Sequence, residues 1–254
     1  MIPLSQAAPS RAQIMPPSKV NLAPRGATTT MCDKNPVATA SNFLLYNNLW
    51  GQDSDPSGKQ CTVLDYSSRG VISWHTQWTW NQAPDAVKSY ANAVLNIEPI
   101  QLSAIKGLPT TWHWNYTGQG LYGDVAYDAF FSKQATKEKP HDYEVMVWLA
   151  SFNGAKPIGQ QVQLAQPLTI GGVVFDLWHG RGEPGTNPWE VFSFVARTET
   201  RQFSADLNEF FKFLTKTQGV PANYFLQTVG AGTEPFTGSN AVFTVSPYTM
   251  SLNK

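Results

Sequence analysis

"VISWHTQWTW" (Val71–Trp80) alternates from end to end. In an extended chain successive side chains point to opposite faces, so Ile72, Trp74, Thr76, Trp78 and Trp80 share one face and Ser73, His75, Gln77 and Thr79 the other. The same style recurs in "GDVAYDAFF" (123–131), "YEVMVWLA" (143–150), "QVQLAQPLTIGGVVFDLWHG" (161–180), "WEVFSFVART" (189–198) and "NAVFTVSPYTMSL" (240–252). Gly, Pro, Asn or Asp break these runs apart, which is the punctuation of strands and turns.

One segment has a different period. In "FSADLNEFFKFLTKTQG" (203–219), Leu207, Phe210, Phe211 and Leu214 recur at helical spacing, with Ser204 placed to cap, Asp206 in the first turn and Gly219 past the end. Many strands and one amphipathic helix predict an all-β, two-sheet sandwich of jelly-roll type with the helix against its outer sheet. Residues 1–31 carry repeated Pro and neither period, and read as a disordered or extended tail without the apolar run of a signal peptide. From 32 to 254 no linker or internal repeat interrupts the chain, which predicts one domain.

Composition narrows the ligand. Charged residues are 14% of the 254, against about 25% in an average domain, while aromatics reach 13% with 9 Trp. A surface poor in charge and rich in Trp and Tyr suits a neutral ligand with flat apolar faces, of which sugar rings are the commonest. The 18 basic and 18 acidic residues cancel, so the charge balance forces no basic patch for nucleic acid or anionic lipid, and neither partner is expected. The longest apolar runs, such as "VMVWLA", fall far short of the roughly 20 residues of a membrane helix. His75, His113, His141 and His179 lack zinc-ligand spacing, so neither metal nor other cofactor is expected. Cys32 and Cys61 fit either one disulfide or two buried thiols. Asn115-Tyr116-Thr117 is a glycosylation sequon, a small weight toward secretion.

Two strands carry acidic residues where a core needs none. Alternation in "YEVMVWLA" sends Val145, Val147 and Leu149 to the core and Glu144, Met146 and Trp148 to the other face, a carboxylate beside an aromatic platform. "GDVAYDAFF" does the same with Asp124, Ala126 and Asp128. Solvent-facing charge on a wet sheet is the plain alternative, against which stand the flanking Met and Trp. A third acid, Glu234, sits in "GAGTEPFTGSN" (230–240), presented by a backbone bent with Gly and Pro. Two carboxyl groups delivered from separate segments are the equipment of glycosidic bond hydrolysis.

"LYNNLWG" (45–51), "VKSYANAVL" (87–95), "LPTTWHWNYTG" (108–118), "DVAYDAF", "YEVMVWLA", "VFSFVA" and above all "AGTEPFTGSN" strongly resemble glycoside hydrolase family 12, from about Cys32 to the C-terminus. Within it, "WHTQWTW", "PTTWHW" and "AGTEPFTGSNAVFTVS" look closest to the xyloglucan-specific endoglucanases. The resemblance implies a jelly roll with an open concave cleft and a secreted, monomeric, retaining endo-β-1,4-glucanase. It implies Glu144 as nucleophile, Glu234 as general acid/base and Asp128 hydrogen-bonded to the nucleophile. It also implies Trp50 and Asn48 of "NNLWG", Met146 and Trp148 at the substrate, and a Cys32–Cys61 disulfide.

A retaining mechanism requires the carboxyl groups about 5 to 5.5 Å apart. It also requires Glu234 to be protonated, its pKa raised by the charge of Glu144 and by burial. A cellulase of the same fold is the rival reading, and a noncatalytic glucan-binding jelly roll a more distant one. The loop in "WHGRGEPGTNPWEVFSFVA" (178–196) is longer than the family pattern suggests, adding Arg181, Glu183, Pro184 and Trp189. Such an insertion either reshapes one end of the cleft or decorates its rim, and surface loops tolerate decoration cheaply.

Overall fold

The computed structural model describes residues 29–138, 140–182 and 188–254. In chain order the strands are β1 (Thr29–Met31), β2 (Val37–Ala40), β3 (Phe43–Tyr46), β4 (Lys59–Ser68), β5 (Val71–Trp80), β6 (Ala91–Leu95), β7 (Ile100–Gln101) and β8 (Pro109–Ser132). They continue with β9 (Tyr143–Phe152), β10 (Gln160–Val162), β11 (Leu168–Ile170), β12 (Val173–Arg181), β13 (Glu190–Ala196), β14 (Gln202–Asp206) and β15 (Phe225–Met250); a single helix, α1 (Asn208–Thr217), precedes β15. No helix among the described residues is long and apolar enough to cross a membrane.

Two strands organise the rest. β8 and β15 run antiparallel along almost their whole lengths and each passes through both layers of the sandwich. Their outer halves, Thr110–Thr117 of β8 and Val242–Met250 of β15, continue the sheet into β14 on one side and β5, β4 and β1 on the other. Their inner halves, Gly123–Ser132 and Phe225–Pro235, are flanked by β9, β13, β12 and β10 on one side and by β6, β3 and β2 on the other. Hydrogen bonds therefore link every strand into one continuous ladder, although the packing is two-layered.

Aromatic rings from the two layers fill the space between. Trp112 meets Tyr127 edge-on at 4.7 Å, and Phe43 meets Tyr248 at 5.1 Å. Trp74, Trp80 and Trp112 are fully buried, as are Val125, Phe131, Val147 and Leu149. The face of "VISWHTQWTW" that carries the tryptophans is thus the core face.

Three expectations shift. Thr29–Met31 belongs to the sheet, pairing with Thr62–Leu64 of β4, so the part of the predicted tail at 29–31 is a strand; residues 1–28 lie outside the described residues. Ser204 does not cap α1. It lies within β14, whose pairing with β8 continues to Asp206, and Asp206 Oδ1 accepts the backbone N–H of Asn208 instead. The helix packs on the back of the inner sheet rather than on the outer one, with Phe210 4.9–5.0 Å from Phe194 and Phe175, and Phe211 4.9 Å from Phe131. Cys32 and Cys61 form a disulfide, fastening the segment after β1 to β4.

Candidate active site

The inner sheet presents its second face to a cleft, and strand register decides what stands there. On β9, Val145, Val147 and Leu149 enter the core and Glu144, Met146 and Trp148 point the other way. β8 sets Phe130 opposite Glu144, Asp128 opposite Met146 and Ala126 opposite Trp148. On its other edge β8 sets Phe130 opposite Thr228, Asp128 opposite Gly230 and Asp124 opposite Glu234 of β15.

The glycines of "GAGTE" are required by the next strand. A Cβ at Gly232 would stand 2.2 Å from the Ala91 carbonyl oxygen, and one at Gly230 would stand 2.8 Å from Asn92 Nδ2. Only bare backbone lets β15 close against β6. Beyond the glutamate, the turn is held by Lys88, whose buried ammonium donates to the carbonyls of Ala83, Ala86 and Phe236 at 2.6–2.8 Å.

By register, Glu144 stands level with Thr228, so Glu234 lies six positions further along β15. Flat strands would hold the two apart. Register shifts at Val125/Ala126, Leu226/Thr228 and Pro235/Thr237 bend the strands, and on the hollow side of a curled sheet side chains converge. Both carboxyl groups line one pocket of about 380 Å³, with Asp128, Asn48, Trp50 and Tyr90 among the other walls. Trp50 leaves 52% of its surface exposed there.

The protonation states follow from burial and from this crowding. Glu234 is pushed up to about 8, first by burial and then by the negative charge of Glu144. Asp128 is held well above the carboxylate range by burial, then by Glu144, Glu234 and Asp124; Asp124 is raised by burial and by Glu234. Glu144 is also raised by burial, but a hydrogen bond opposes the shift: the Trp189 indole N–H donates to its Oε2 at 2.5 Å. Of the four carboxyl groups, Glu144 is the one whose oxygens accept a side-chain hydrogen bond among the described residues, and so the one best equipped to carry the charge.

The sequence reading needs revision at several places. Met146 and Trp148 do not form a sugar platform: they are buried with Ala126 and Ala155, and the Trp148 N–H is turned onto the Met146 sulfur at 3.4 Å. No hydrogen bond joins Asp128 to Glu144 among the described residues, and Asp128 Oδ1 has no partner. Trp189 is not rim decoration, since it touches the expected nucleophile. Arg181 does remain on the surface, paired with Glu190 at 3.1 Å, while Glu183 and Pro184 lie outside the described residues.

Six lining residues, Tyr90, Asn92, Val94, Phe130, His141 and Thr228, were given no binding role from sequence. Phe130 is two positions beyond Asp128, and Tyr90 and Asn92 alternate within "SYANAVL", so period-two reading could have found these three. His141 stands outside any strand, and nothing local marks it.

A β-sandwich that brings two carboxyl groups with unlike surroundings, one against an indole N–H and one without a side-chain donor among the described residues, into one aromatic-lined cleft has the equipment of a glycosidase. The chain belongs to glycosyl hydrolase family 12, whose profile matches residues 41–253. It is 46% identical over 221 residues to xyloglucan-specific endo-β-1,4-glucanase A of Aspergillus niger, covering 87% of this chain and 90% of that protein. Among solved structures it superposes on Trichoderma harzianum endoglucanase 3 with a TM-score of 0.81 at 34% identity, covering 89% of this chain and 98% of that one. The catalytic domain of Humicola grisea Cel12A, solved with a soaked thio cellotetraose, gives 0.82 at 35% identity over 89% and 99% of the two chains.

Proposed function

We propose that this chain is a secreted, monomeric, retaining endo-β-1,4-glucanase that hydrolyses xyloglucan by double displacement. The observation that carries the reading is the difference between Glu144 and Glu234: one pocket, two carboxyl groups, an indole N–H against the first that opposes the upward push of burial, and on the second burial and the charge of the first that hold a proton.

In the first displacement a lone pair on Glu144 attacks the anomeric carbon, the bond to the leaving glucosyl oxygen breaks, and that oxygen takes the proton of Glu234. Glycosylated Glu144 is neutral, which removes the charge that raises Glu234; Glu234 can then accept a proton from water. In the second displacement the water oxygen bonds to the anomeric carbon, and the electron pair of the ester bond returns to Glu144. Asp128, pushed toward its protonated form by burial and by Glu144, limits the negative charge the pocket has to hold. Trp50 offers an exposed ring for a pyranose face, and Asn48 and the buried, unpartnered Oδ1 of Asn92 offer polar atoms for hydroxyls.

Xyloglucan rather than unbranched glucan is supported by the name of the Aspergillus niger relative, which is nearer in sequence than the two endoglucanase structures. Secretion is supported by the Cys32–Cys61 disulfide, which needs an oxidising compartment, and by a polymeric substrate that does not enter cells. The test is hydrolysis of xyloglucan against carboxymethylcellulose, with the anomer of the first product read by NMR. Faster cleavage of xyloglucan with a β-configured product is expected; an α-configured first product would end the double-displacement reading.

A further inference from the structure

Trp189 comes from the segment leading into β13, which the two-carboxylate chemistry does not by itself call for. It is 6% exposed, yet its one polar atom is aimed at Glu144 Oε2. The ring is held on two sides, edge-on to Phe130 at 5.8 Å and to His141 at 5.1 Å. His141 is anchored in turn, its Nδ1 2.7 Å from Gln227 Oε1, and Gln227 donates to the Glu138 carbonyl at 3.0 Å. Backbone bonds from Gly182 to the Trp189 carbonyl and from Glu190 to the Asp142 carbonyl, 3.1 and 3.2 Å, fix the segment to the residue after β12 and to the residue before β9. An indole gripped this way has its N–H direction set before any sugar arrives.

The geometry points to Trp189 as a positioning residue for Glu144, its N–H fixing Oε2 so that Oε1 faces the anomeric carbon, and receiving the negative charge that returns when the glycosyl ester breaks. The inference rests on Glu144 being the nucleophile. In the covalent intermediate Oε1 is bonded to the anomeric carbon and Oε2 is the ester carbonyl oxygen, still facing the indole. As water adds to that carbon and gives its proton to Glu234, the electron pair of the C–Oε1 bond returns to the carboxyl group and is shared with Oε2. A donor already in place there meets the developing charge without reorganisation.

Several other groups around Glu144 are otherwise placed. Asp128 on β8 makes no hydrogen bond to Glu144 among the described residues, Glu234 on β15 gives its proton to the leaving oxygen, the Tyr90 hydroxyl donates to the Ala126 carbonyl at 3.0 Å, and His141 Nδ1 is engaged by Gln227. Loss of the N–H removes a bond to the ionised form, so the Glu144 pKa rises and the acid limb of kcat/KM moves to higher pH.

The test uses a 2-deoxy-2-fluoro-β-cellobioside with a dinitrophenyl leaving group, which traps the glycosyl-enzyme. Peptide mapping of the wild type should find the label on Glu144. Two variants follow: Trp189→Phe, and a protein carrying 3-benzothienylalanine at position 189, which keeps the indole outline with sulfur in place of N–H. In both, reactivation of the trapped enzyme should slow roughly tenfold, the scale of one hydrogen bond to a charged group, and the acid limb should shift upward, with the benzothienyl protein melting as the wild type does. Wild-type reactivation and an unmoved acid limb in the benzothienyl protein would overturn the inference, whatever Trp189→Phe does. Label on a residue other than Glu144 would instead overturn the assignment of the nucleophile, and this inference with it.

Discussion

Lys88 reaches past Glu234: among the described residues its ammonium touches no carboxylate, and it donates to the carbonyl of Phe236, two residues beyond Glu234, at 2.8 Å. The same ammonium holds Ala83 and Ala86, and the backbone N–H of Lys88 bonds the Pro235 carbonyl at 3.0 Å. A fully buried cation thereby fixes the direction from which Glu234 enters the cleft.

Replacing this lysine is the first test. Lys88→Met keeps most of the apolar stem and strands three carbonyls without their donor. The expected loss is about 2–5 kcal/mol of unfolding free energy in denaturant titration, with kcat reduced in the protein that remains folded. A stability within error of the wild type would show that the carbonyls find other donors.

Glu234 also leaves a mark on stability as a function of pH. Its folded pKa of about 8 lies above the ordinary 4.5, so between these values the unfolded chain ionises while the folded one retains the proton. Such a group favours the folded state less and less as pH rises through that window. Glu234→Gln removes the effect and should be the more stable protein at pH 7, by on the order of 2 kcal/mol, and equal to the wild type near pH 4. Melting curves at the two values check both sign and window.

The two glutamates should fail differently. Glu144→Gln is expected to lose at least about 10⁴-fold in kcat on any glucan, since no covalent intermediate can form. Glu234→Gln should lose roughly 10²–10⁴-fold on polymer, yet form the intermediate readily from an aryl glucoside whose leaving group needs no proton. A burst of aryl alcohol from the second variant and none from the first distinguishes them.

Trp50 is exposed at the pocket wall, and a ring face stacked on a sugar is an interaction of the kind that binds ground and transition states alike. Trp50→Ala should raise KM by roughly tenfold with kcat little altered. Initial rates over a range of xyloglucan concentrations separate the two constants.

Much of this architecture could be read from period-two alternation. The face of β9 carrying Glu144 and the face of β8 carrying Asp124 and Asp128 are as the alternation places them, because one side of each strand must meet a fixed core. Alternation assigns a side and is silent on what covers it. Met146 and Trp148 share the cleft face of Glu144, but packing against Ala126 of β8 and Ala155 of the turn after β9 hides them. Trp189 was misjudged for a related reason: its contact with Glu144 is made between segments 45 residues apart in sequence, and no local pattern encodes it. The helix start moved because a side-chain cap competes with strand pairing, and pairing to Asp206 won.

The passage of β8 and β15 through both layers has a mechanical corollary. Glu234 and the core residues Phe243, Val245 and Tyr248 sit on one uninterrupted strand, and Asp128 and Trp112 on another. No seam separates a scaffold from a catalytic leaf, so the hollow sheet has nowhere to detach and melt by itself. Heat inactivation and global unfolding should therefore share one transition, and a graft exchanging only the inner sheet with a relative would have to sever both of these strands midway.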